Sequence, residues 1–244
     1  MKFHGNFIGS EIYDGVTCGS GDMVKEYDIN VLTQPLDWYY KNKIIKYNYN
    51  QFGHRCKNLA DVNLHNYILF TGCSHTEGVG LELEKSYPYV TSGLSGYDYY
   101  NLGLGSSGID VLLFNLIAWF STVDRLPRAV VIQWPDISRF STIAPNADTI
   151  VPNGTWSSDK QINDYIVADY DCNASDTKAL LAKKLIELVI KCPIYYVTLK
   201  GQKLPGGTSG IPFIKVDVAR DLAHFGIKSN ETLATNLATI IKTI

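Results

Sequence analysis

Two short segments carry residue types that together could perform nucleophilic catalysis. Ser74 lies in residues 72–80, GCSHTEGVG, directly after a short apolar run. A serine on a tight turn after a strand can point its hydroxyl into a cleft, where backbone N–H groups can meet a developing oxyanion. Asp221 and His224 lie in DLAH, residues 221–224. An Asp at this spacing can bond Nδ1 of the His, which leaves Nε2 to take a proton from a serine.

Each segment also has a simpler interpretation. Ser74 could cap a helix that follows a glycine-rich turn, and His224 could be an exposed loop histidine. Cys73 could act as the nucleophile if His75 lowered the pKa of its thiol. Because neighbouring residues on a turn rarely point the same way, we expect Cys73 to pack inward as a small apolar group.

A glycine-rich loop follows the second apolar run. Residues 103–108, GLGSSG, fit the G-x-G-x-x-G string of dinucleotide-binding proteins. The context differs from that fingerprint, which belongs to the first strand and needs an acidic residue about twenty positions on, at a strand end. Asp124 is instead expected in a loop. A nucleotide-binding α/β protein stays an alternative, with the loop as its binding element.

The elements that would position these residues alternate between short strands and helices. Predicted strands are Tyr67–Thr71, Tyr99–Leu102, Ala129–Gln133, Ile194–Thr198 and Pro212–Val216, and predicted helices are Ile109–Thr122, Asp176–Lys191 and Ser229–Lys242. This order predicts a three-layer α/β/α sandwich with a mainly parallel, flavodoxin-like sheet of about five strands. Ligands of such sheets bind beyond the carboxyl ends of the strands.

The last two helices show amphipathic patterns. Ser175 is the expected N-cap of the helix that begins at Asp176. That helix is expected to carry Leu181, Leu185, Leu188 and Val189 on one stripe, and the final helix to face Leu233, Leu237 and Ile240 inward.

The chain divides by composition into an extension and a main domain. Residues 1–66 are rich in Tyr, Asn and Lys without strong periodicity, and we expect them to pack on the main domain, residues 67–244. A polar stretch at about 140–173 contains Pro145, Pro152 and Gly154 and is expected to be an insertion after the third strand.

Charge and cysteine usage exclude several classes of function. The net charge is −2 over 244 residues, and no basic stretch indicates nucleic acid or an anionic membrane as a partner. Scattered cysteines without a CxxC pair argue against a zinc site or a disulfide framework; they are Cys18, Cys56, Cys73, Cys172 and Cys192. The N-terminus has no signal-peptide pattern and no apolar run reaches membrane-spanning length, so a cytoplasmic or phage-associated protein is expected.

Taken together, the serine and histidine segments resemble the SGNH, or GDSL-like, hydrolase superfamily over residues 67–244. Ser74, Thr76 and Gly78 match the family's first block, in which Cys73 replaces the usual Asp. The last block, D-x-x-H followed by a helix, matches residues 221–224. Upstream, residues 49–55, YNQFGHR, look like a lead-in found in some members.

The resemblance implies a serine esterase without a metal or organic cofactor. Ser74, His224 and Asp221 would be its nucleophile, base and orienting acid. The second block would place a backbone N–H of Ser106 in the oxyanion hole, beside Gly105. The third block usually supplies an Asn side chain, but here Pro135 occupies that place and Gln133 is the candidate replacement.

Substrate contacts are expected near the third strand. Arg139 and the Trp134 ring could bind substrate there, although simple packing is favoured for Trp134. The resemblance implies small acyl esters as substrates, and the Tyr-rich composition favours O-acetyl groups on a carbohydrate. The alternative is a non-catalytic carbohydrate-binding or structural module with the same fold, and the composition is compatible with a phage-encoded protein. The sequence does not indicate an oligomeric state.

Overall fold

The computed structural model describes residues 9–10, 22, 24–143, 150–171, 174–199 and 202–244. Its strands are β1 Gly9–Ser10, β2 Asn48–Tyr49, β3 Tyr67–Thr71, β4 Asp98–Asn101, β5 Ala129–Gln133, β6 Phe140–Ile143, β7 Ile150–Asn153, β8 Ile194–Leu199 and β9 Ile211–Phe213. Its α-helices are α1 Val24–Thr33, α2 Ser74–Glu77, α3 Tyr87–Ser95, α4 Ile109–Thr122, α5 Lys160–Asp171, α6 Ala174–Val189 and α7 Ile227–Ile241. Two short 3₁₀-helices span Leu59–Asp61 and Leu83–Lys85.

The central sheet has five parallel strands in the order β4-β3-β5-β8-β9. The chain leaves β3 for β4 and then returns past β3 to β5. Since such crossovers are right-handed, this reversal places α3 and α4 on opposite faces of the sheet. Helix α3 packs against α7, and α4 packs against α6. The predicted three-layer α/β/α sandwich is therefore confirmed. The reversal lies between β3 and β5, where open α/β sheets bind their ligands.

The core is densest at β3 and β5, two of the three strands that have neighbours on both sides. All five residues of each strand are buried. Continuous apolar runs of this kind are typical of parallel strands that are covered on both faces. The indole of Trp119 in α4 donates to the Tyr67 hydroxyl over 3.2 Å, so its polar atom is satisfied inside this core.

The predicted boundaries of β3, α4 and β5 agree with the structure, and the others shift. Strand β4 begins one residue early, at Asp98, and β8 extends to Leu199. Strand β9 ends at Phe213, whereas the prediction ran to Val216. Ile214 and Val216 are exposed, so the apolar letters beyond Phe213 do not belong to a buried strand.

The orientation of α6 differs from the prediction. Its leucine stripe faces outward, with Leu181 and Leu188 65% and 68% exposed, and Leu185 and Val189 are also exposed. The side chains that α6 buries include Ala179, Ala182 and Ile186. Small alanines let the helix approach its neighbours closely, and the bulkier leucines lie on the other side. Helix α6 is amphipathic as predicted, but its buried face carries the alanines and not the leucine stripe.

Two smaller predictions about these helices were wrong. Helix α6 begins at Ala174, so Ser175 lies inside the helix, where its hydroxyl bonds Asp169 and does not serve as the N-cap. In α7, Leu233 and Leu237 face inward as predicted, but the buried residue of the last turn is Ile241, while Ile240 is only half-buried.

The described part of the N-terminal stretch packs on the sheet domain. Tyr40, Ile45 and Tyr47 form a cluster with Leu81 and Ala219 of the main domain. Residues 1–8, 11–21 and 23 lie outside the described residues, and so does Cys18. The predicted division of the chain at residue 66 stays a prediction.

The predicted insertion contains regular structure in its described part. Strands β6 and β7 pair in antiparallel fashion, and α5 follows. Pro145 and Cys172 lie outside the described residues, in 144–149 and 172–173. Across all described residues, no helix combines the length and apolar character needed to cross a membrane.

Candidate active site

Ser74 is the first residue of α2, immediately beyond the carboxyl end of β3. Gly72 makes this turn possible, because its φ is +155° and a Cβ there would lie 2.3 Å from Thr76 Oγ1. Gly78 closes α2 in the left-handed conformation, and its N–H bonds the Ser74 carbonyl over 3.0 Å. The turn therefore presents the Ser74 side chain at the end of the sheet, with 7% of the residue exposed.

His224 connects the serine to a carboxylate. Its Nε2 lies 2.7 Å from Ser74 Oγ, and its Nδ1 bonds a carboxylate oxygen of Asp221. The other Asp221 oxygen accepts the backbone N–H groups of Ala223 and His224 over 3.1 and 3.0 Å. With Nδ1–H held by the carboxylate, Nε2 is free to accept the Ser74 proton. The structure thus brings together the three residues that the sequence singled out.

The Asp221 carboxylate is suited to remain ionised. Burial alone would raise its pKa, but the hydrogen bond from His224, the charge on that ring and the two backbone N–H groups together hold the pKa below its ordinary value. Its side chain is 3% exposed. An ionised, shielded Asp221 can orient the imidazole and stabilise the cation that forms when His224 takes a proton.

The loop after β4 packs directly against the serine turn. The Leu104 N–H donates to the Gly72 carbonyl over 3.1 Å, and a Cβ on Gly103 would meet Thr76 at 2.7 Å. The glycines therefore permit close packing between two turns of the protein itself. The loop holds a carboxylate, since the Gly105 N–H donates to Glu77 over 2.5 Å. A carboxylate at that place would repel a phosphate, which disfavours the nucleotide-binding interpretation.

This packing assigns different roles to the two predicted oxyanion residues. The expectation for Gly105 is corrected, because Glu77 takes its N–H. Ser106 adopts a left-handed conformation with φ +62°. Among the described residues, no protein group accepts the N–H of Ser106 or that of Ser74. Neither N–H is therefore committed to another group in the described part of the protein.

The expectation for Gln133 is also corrected. This residue is fully buried, and its Oε1 accepts from Cys73 N over 3.1 Å and from Cys73 Sγ over 2.8 Å. Its Nε2 donates to the Trp134 carbonyl over 2.6 Å. The Gln133 side chain therefore holds the turn before Ser74 through Cys73, and both ends of its amide are bonded to groups other than the Ser74 hydroxyl. Cys73 faces inward, as predicted, and Trp134 is fully buried against Tyr196.

His75, which follows Ser74 in the chain, packs against other rings. Its ring lies 4.9 Å from that of His224 and 4.7 Å from that of Phe225. Burial lowers the His75 pKa to about 3, and the neighbouring His224 and Arg139 side chains lower it further. His75 is therefore uncharged at neutral pH and packs beside the His224 ring. Arg139 makes no bond to Ser74 or His224; its guanidinium lies over the Trp156 ring, 5.1 Å from the ring centre.

Several supporting residues escaped the sequence analysis. Glu77 is buried, and burial raises its pKa although hydrogen bonds from Tyr49 and Gly105 oppose this rise. The Tyr49 hydroxyl donates to Glu77 over 2.7 Å, and Arg55 donates to the carbonyls of Gly78 and Leu81 over 2.6 and 2.7 Å. Tyr49 and Arg55 lie in residues 49–55, the segment that looks like a lead-in of some family members. That resemblance is the one sequence feature that pointed to these supporting residues.

No metal centre is indicated in the described part of the chain. It contains no group of three or more His, Cys, Asp or Glu side chains placed to hold an ion. The hydrogen bonds that join Ser74, His224 and Asp221 provide groups suited to proton transfer and nucleophilic attack. The fold and site define an α/β protein with a hydrogen-bonded Ser-His-Asp chain at the sheet's switch point.

Comparisons with known proteins find similarity at the level of solved structures. No protein-family model matches the chain, and no curated protein matches it. An acetyl xylan esterase (Est2A) from Butyrivibrio proteoclasticus is 12% identical with a TM-score of 0.45, covering 77% of this chain and 66% of that one. A carbohydrate esterase family 2 enzyme from Corynascus thermopiles (Myceliophthora fergusii) is 13% identical with a TM-score of 0.44, covering 78% and 69%.

A third similar structure is a family two carbohydrate esterase from Clostridium thermocellum in complex with cellohexaose. It is 14% identical with a TM-score of 0.40, covering 75% of this chain and 64% of that one. This chain spans about two thirds of the length of these structures. Similarity this distant leaves the function to be argued from the site itself.

Proposed function

We propose that the protein is a serine esterase, with Ser74 as nucleophile, His224 as general base and Asp221 as the residue that orients the base. The single observation that carries this proposal is the chain of contacts from Ser74 Oγ to His224 Nε2, at 2.7 Å, and from His224 Nδ1 to the Asp221 carboxylate. Nucleophile, base and orienting acid stand in hydrogen-bond reach of one another, as nucleophilic catalysis requires. A capping serine or an exposed loop histidine would not need this arrangement.

The proposed reaction runs through an acyl-enzyme. His224 Nε2 takes the proton of Ser74 as Oγ attacks the ester carbonyl, and the carbonyl oxygen becomes an oxyanion. The imidazolium then returns the proton to the leaving alcohol as the ester C–O bond breaks. Water attacks the acyl-enzyme with His224 again as the base, and release of the carboxylic acid restores Ser74.

We assign the oxyanion to the N–H groups of Ser74 and Ser106. Both lack a protein acceptor within the described residues, and the loop that carries Ser106 is bonded to the serine turn at Gly72 and Glu77. Preorganised donors of this kind each contribute about 10²- to 10³-fold to the rate. No Asn follows β5 to provide a third donor, because Pro135 stands there, so we expect a slower enzyme than one with three donors.

We propose O-acetyl groups on a carbohydrate as the substrate class. Only 7% of Ser74 is exposed, so a small acyl group can approach its hydroxyl more easily than a bulky one. The alcohol side would lie over the polar loops at the carboxyl end of the sheet, and tyrosine, with 16 residues in the chain, can pack its ring on a sugar and bond its hydroxyls.

A fluorophosphonate probe tests the proposal without the natural ester. Mass spectrometry should locate the label on Ser74, and both Ser74→Ala and His224→Ala should abolish it. Loss of either group is expected to lower turnover by roughly 10⁶-fold. A folded protein that takes no label, or one labelled elsewhere, would refute the serine mechanism. A bound glycan without turnover in that case would favour the carbohydrate-binding module.

A further inference from the structure

A cavity lies against α4 and α6, and residues 137–140 complete its wall. Its volume is about 460 Å³, within the range of about 300 to 1,000 Å³ that is usual for small-molecule sites. Its walls are largely apolar and include Ile109, Leu113, Ile137, Phe140, Leu181 and Leu185. The outward-facing leucines of α6 thus form one side of a concave surface. Such a surface favours a ligand with an apolar body.

Arg139 also lines the cavity. Its Nη1 is buried, and no described residue provides it with a hydrogen-bond acceptor. Of the other lining charges, Lys178 pairs with Asp169, whose carboxylate lies 2.5 Å from Nζ. Asp110 accepts the N–H of Val111 at the start of α4 and is not paired with Arg139 in the described structure. Within the described residues, no carboxylate pairs with the Arg139 guanidinium. A buried donor left in this state costs free energy that an anionic ligand would recover.

The position of Arg139 is fixed by its surroundings. The guanidinium lies over the Trp156 ring at 5.1 Å, an arrangement that holds a cation without neutralising it. The Arg139 carbonyl lies 2.6 Å from where a Cβ of Gly108 would be, so its backbone packs against the end of the loop that carries Ser106.

We propose that this cavity binds a small amphiphilic carboxylate. Its aliphatic or aromatic body would pack on the leucine and isoleucine walls, and its carboxylate would accept hydrogen bonds from Arg139. A neutral apolar molecule would leave Nη1 unpaired, and a sugar would find few polar partners in the apolar walls. A guanidinium is the side chain best suited to a carboxylate, which it can bind through two parallel N–H groups.

This proposal does not depend on the esterase mechanism, and its test avoids turnover. We would measure binding of naphthoate and of its neutral analogue naphthamide to the full-length Ser74→Ala protein by isothermal titration calorimetry. The two probes share their shape and apolar area but differ in charge. The acid is expected to bind roughly 10- to 100-fold more tightly than the amide, because hydrogen bonds to charged groups carry about 1.5–3 kcal/mol.

Three variants locate the site. Arg139→Gln should remove the preference for the acid and leave the affinity for the amide unchanged. Leu181→Glu, at an exposed helix position that tolerates a polar residue, should lower the affinity for the acid, because the new carboxylate in the cavity wall repels it. Arg125→Gln is the matched control, since Arg125 is exposed beyond the far end of α4 and should change neither affinity. Thermal melting would verify that each variant is folded.

Equal binding of acid and amide, no binding of either, or a preference that survives Arg139→Gln would overturn the proposal. Self-association of the chain that Leu181→Glu abolishes would overturn it too, since a second copy would then cover the groove. Because the Ser74→Ala protein cannot turn over an ester, these outcomes are independent of fluorophosphonate labelling at Ser74. Failure of one proposal leaves the other standing.

Discussion

A buried ion pair ties the N-terminal stretch to the loop that carries Asp221. Asp22 and Arg220 are 1% and 0% exposed, and Asp22 accepts from Arg220 Nη2 over 2.7 Å and from Nε over 3.1 Å. Arg220 Nη1 donates to the Lys43 carbonyl over 3.1 Å, and the Arg220 N–H donates to the Gly80 carbonyl over 3.1 Å. The pair thus fixes the backbone immediately before Asp221.

We predict that Asp22→Asn lowers the free energy of unfolding by about 3 kcal/mol. Removing one partner of a buried pair costs about 3–5 kcal/mol because the remaining charge is left uncompensated. Because asparagine keeps one acceptor oxygen for the guanidinium, we expect the loss in free energy of unfolding to lie at the lower end of this range. Urea unfolding at neutral pH, followed by tryptophan fluorescence, measures the change from the shift of the midpoint at constant slope.

An exposed pair in the same chain provides the control. Lys160 and Asp164 lie 2.5 Å apart with side chains 85% and 63% exposed, so Asp164→Asn should change the free energy of unfolding by less than about 0.5 kcal/mol. Equal losses for the two substitutions would refute the reasoning that burial makes the Asp22 pair costly to break. Folded Asp22→Asn protein should also label Ser74 more slowly, because the loop before Asp221 loses its anchor.

Three further predictions concern the site and the core. Asp221→Asn should slow fluorophosphonate labelling of Ser74 by roughly 10⁴-fold. Folding lowers the pKa of Asp221, so the ionised carboxylate stabilises the folded protein at a pH above the ordinary Asp pKa, and this stabilisation is lost as the pH falls through the pKa of the folded protein. The difference in free energy of unfolding between the parent and Asp221→Asn should therefore disappear in acid. Glu77→Gln should slow labelling by about 10²- to 10³-fold with little unfolding, because the bond that holds the oxyanion loop is weakened; an unchanged rate would exclude this role. Ile186→Ala should cost about 2–4 kcal/mol in urea unfolding, and Leu188→Ala under about 0.5 kcal/mol; the reverse order would mean that α6 faces the other way.

Short apolar runs were the most dependable signals in the sequence. Strands β3 and β5 and helix α4 have the predicted bounds, because a doubly covered strand must be apolar throughout and glycine or proline marks its ends. The sequence also singled out Ser74, Asp221 and His224, whose side chains the structure joins by hydrogen bonds, because a serine on a glycine-rich turn and a D-x-x-H segment are local patterns with defined spacing. Their approach to within hydrogen-bond reach follows from the parallel sheet, whose carboxyl ends meet at one edge.

Side-chain direction could not be read in the same way. Gln133 was expected to serve the oxyanion, yet its amide points to Cys73, and the Gly105 N–H is taken by a buried glutamate 28 positions away in the chain. Helix α6 has two faces that could be buried, and periodicity alone does not choose between leucines and alanines. These outcomes depend on which neighbour lies across a contact, and that neighbour is distant in sequence.

The sequence by itself determined the class of fold, the order of its elements and the identity of the serine, histidine and aspartate, because these depend on local propensity and short spacing. Only the tertiary structure decided that Glu77 accepts the Gly105 N–H and which face of α6 is buried. It also decided that Arg139 lines an apolar cavity with no acceptor for Nη1 among the described residues. The physical reason is that hydrogen-bond saturation and burial are properties of pairs of groups. Such pairs form when the chain closes on itself, and no window of sequence contains both members.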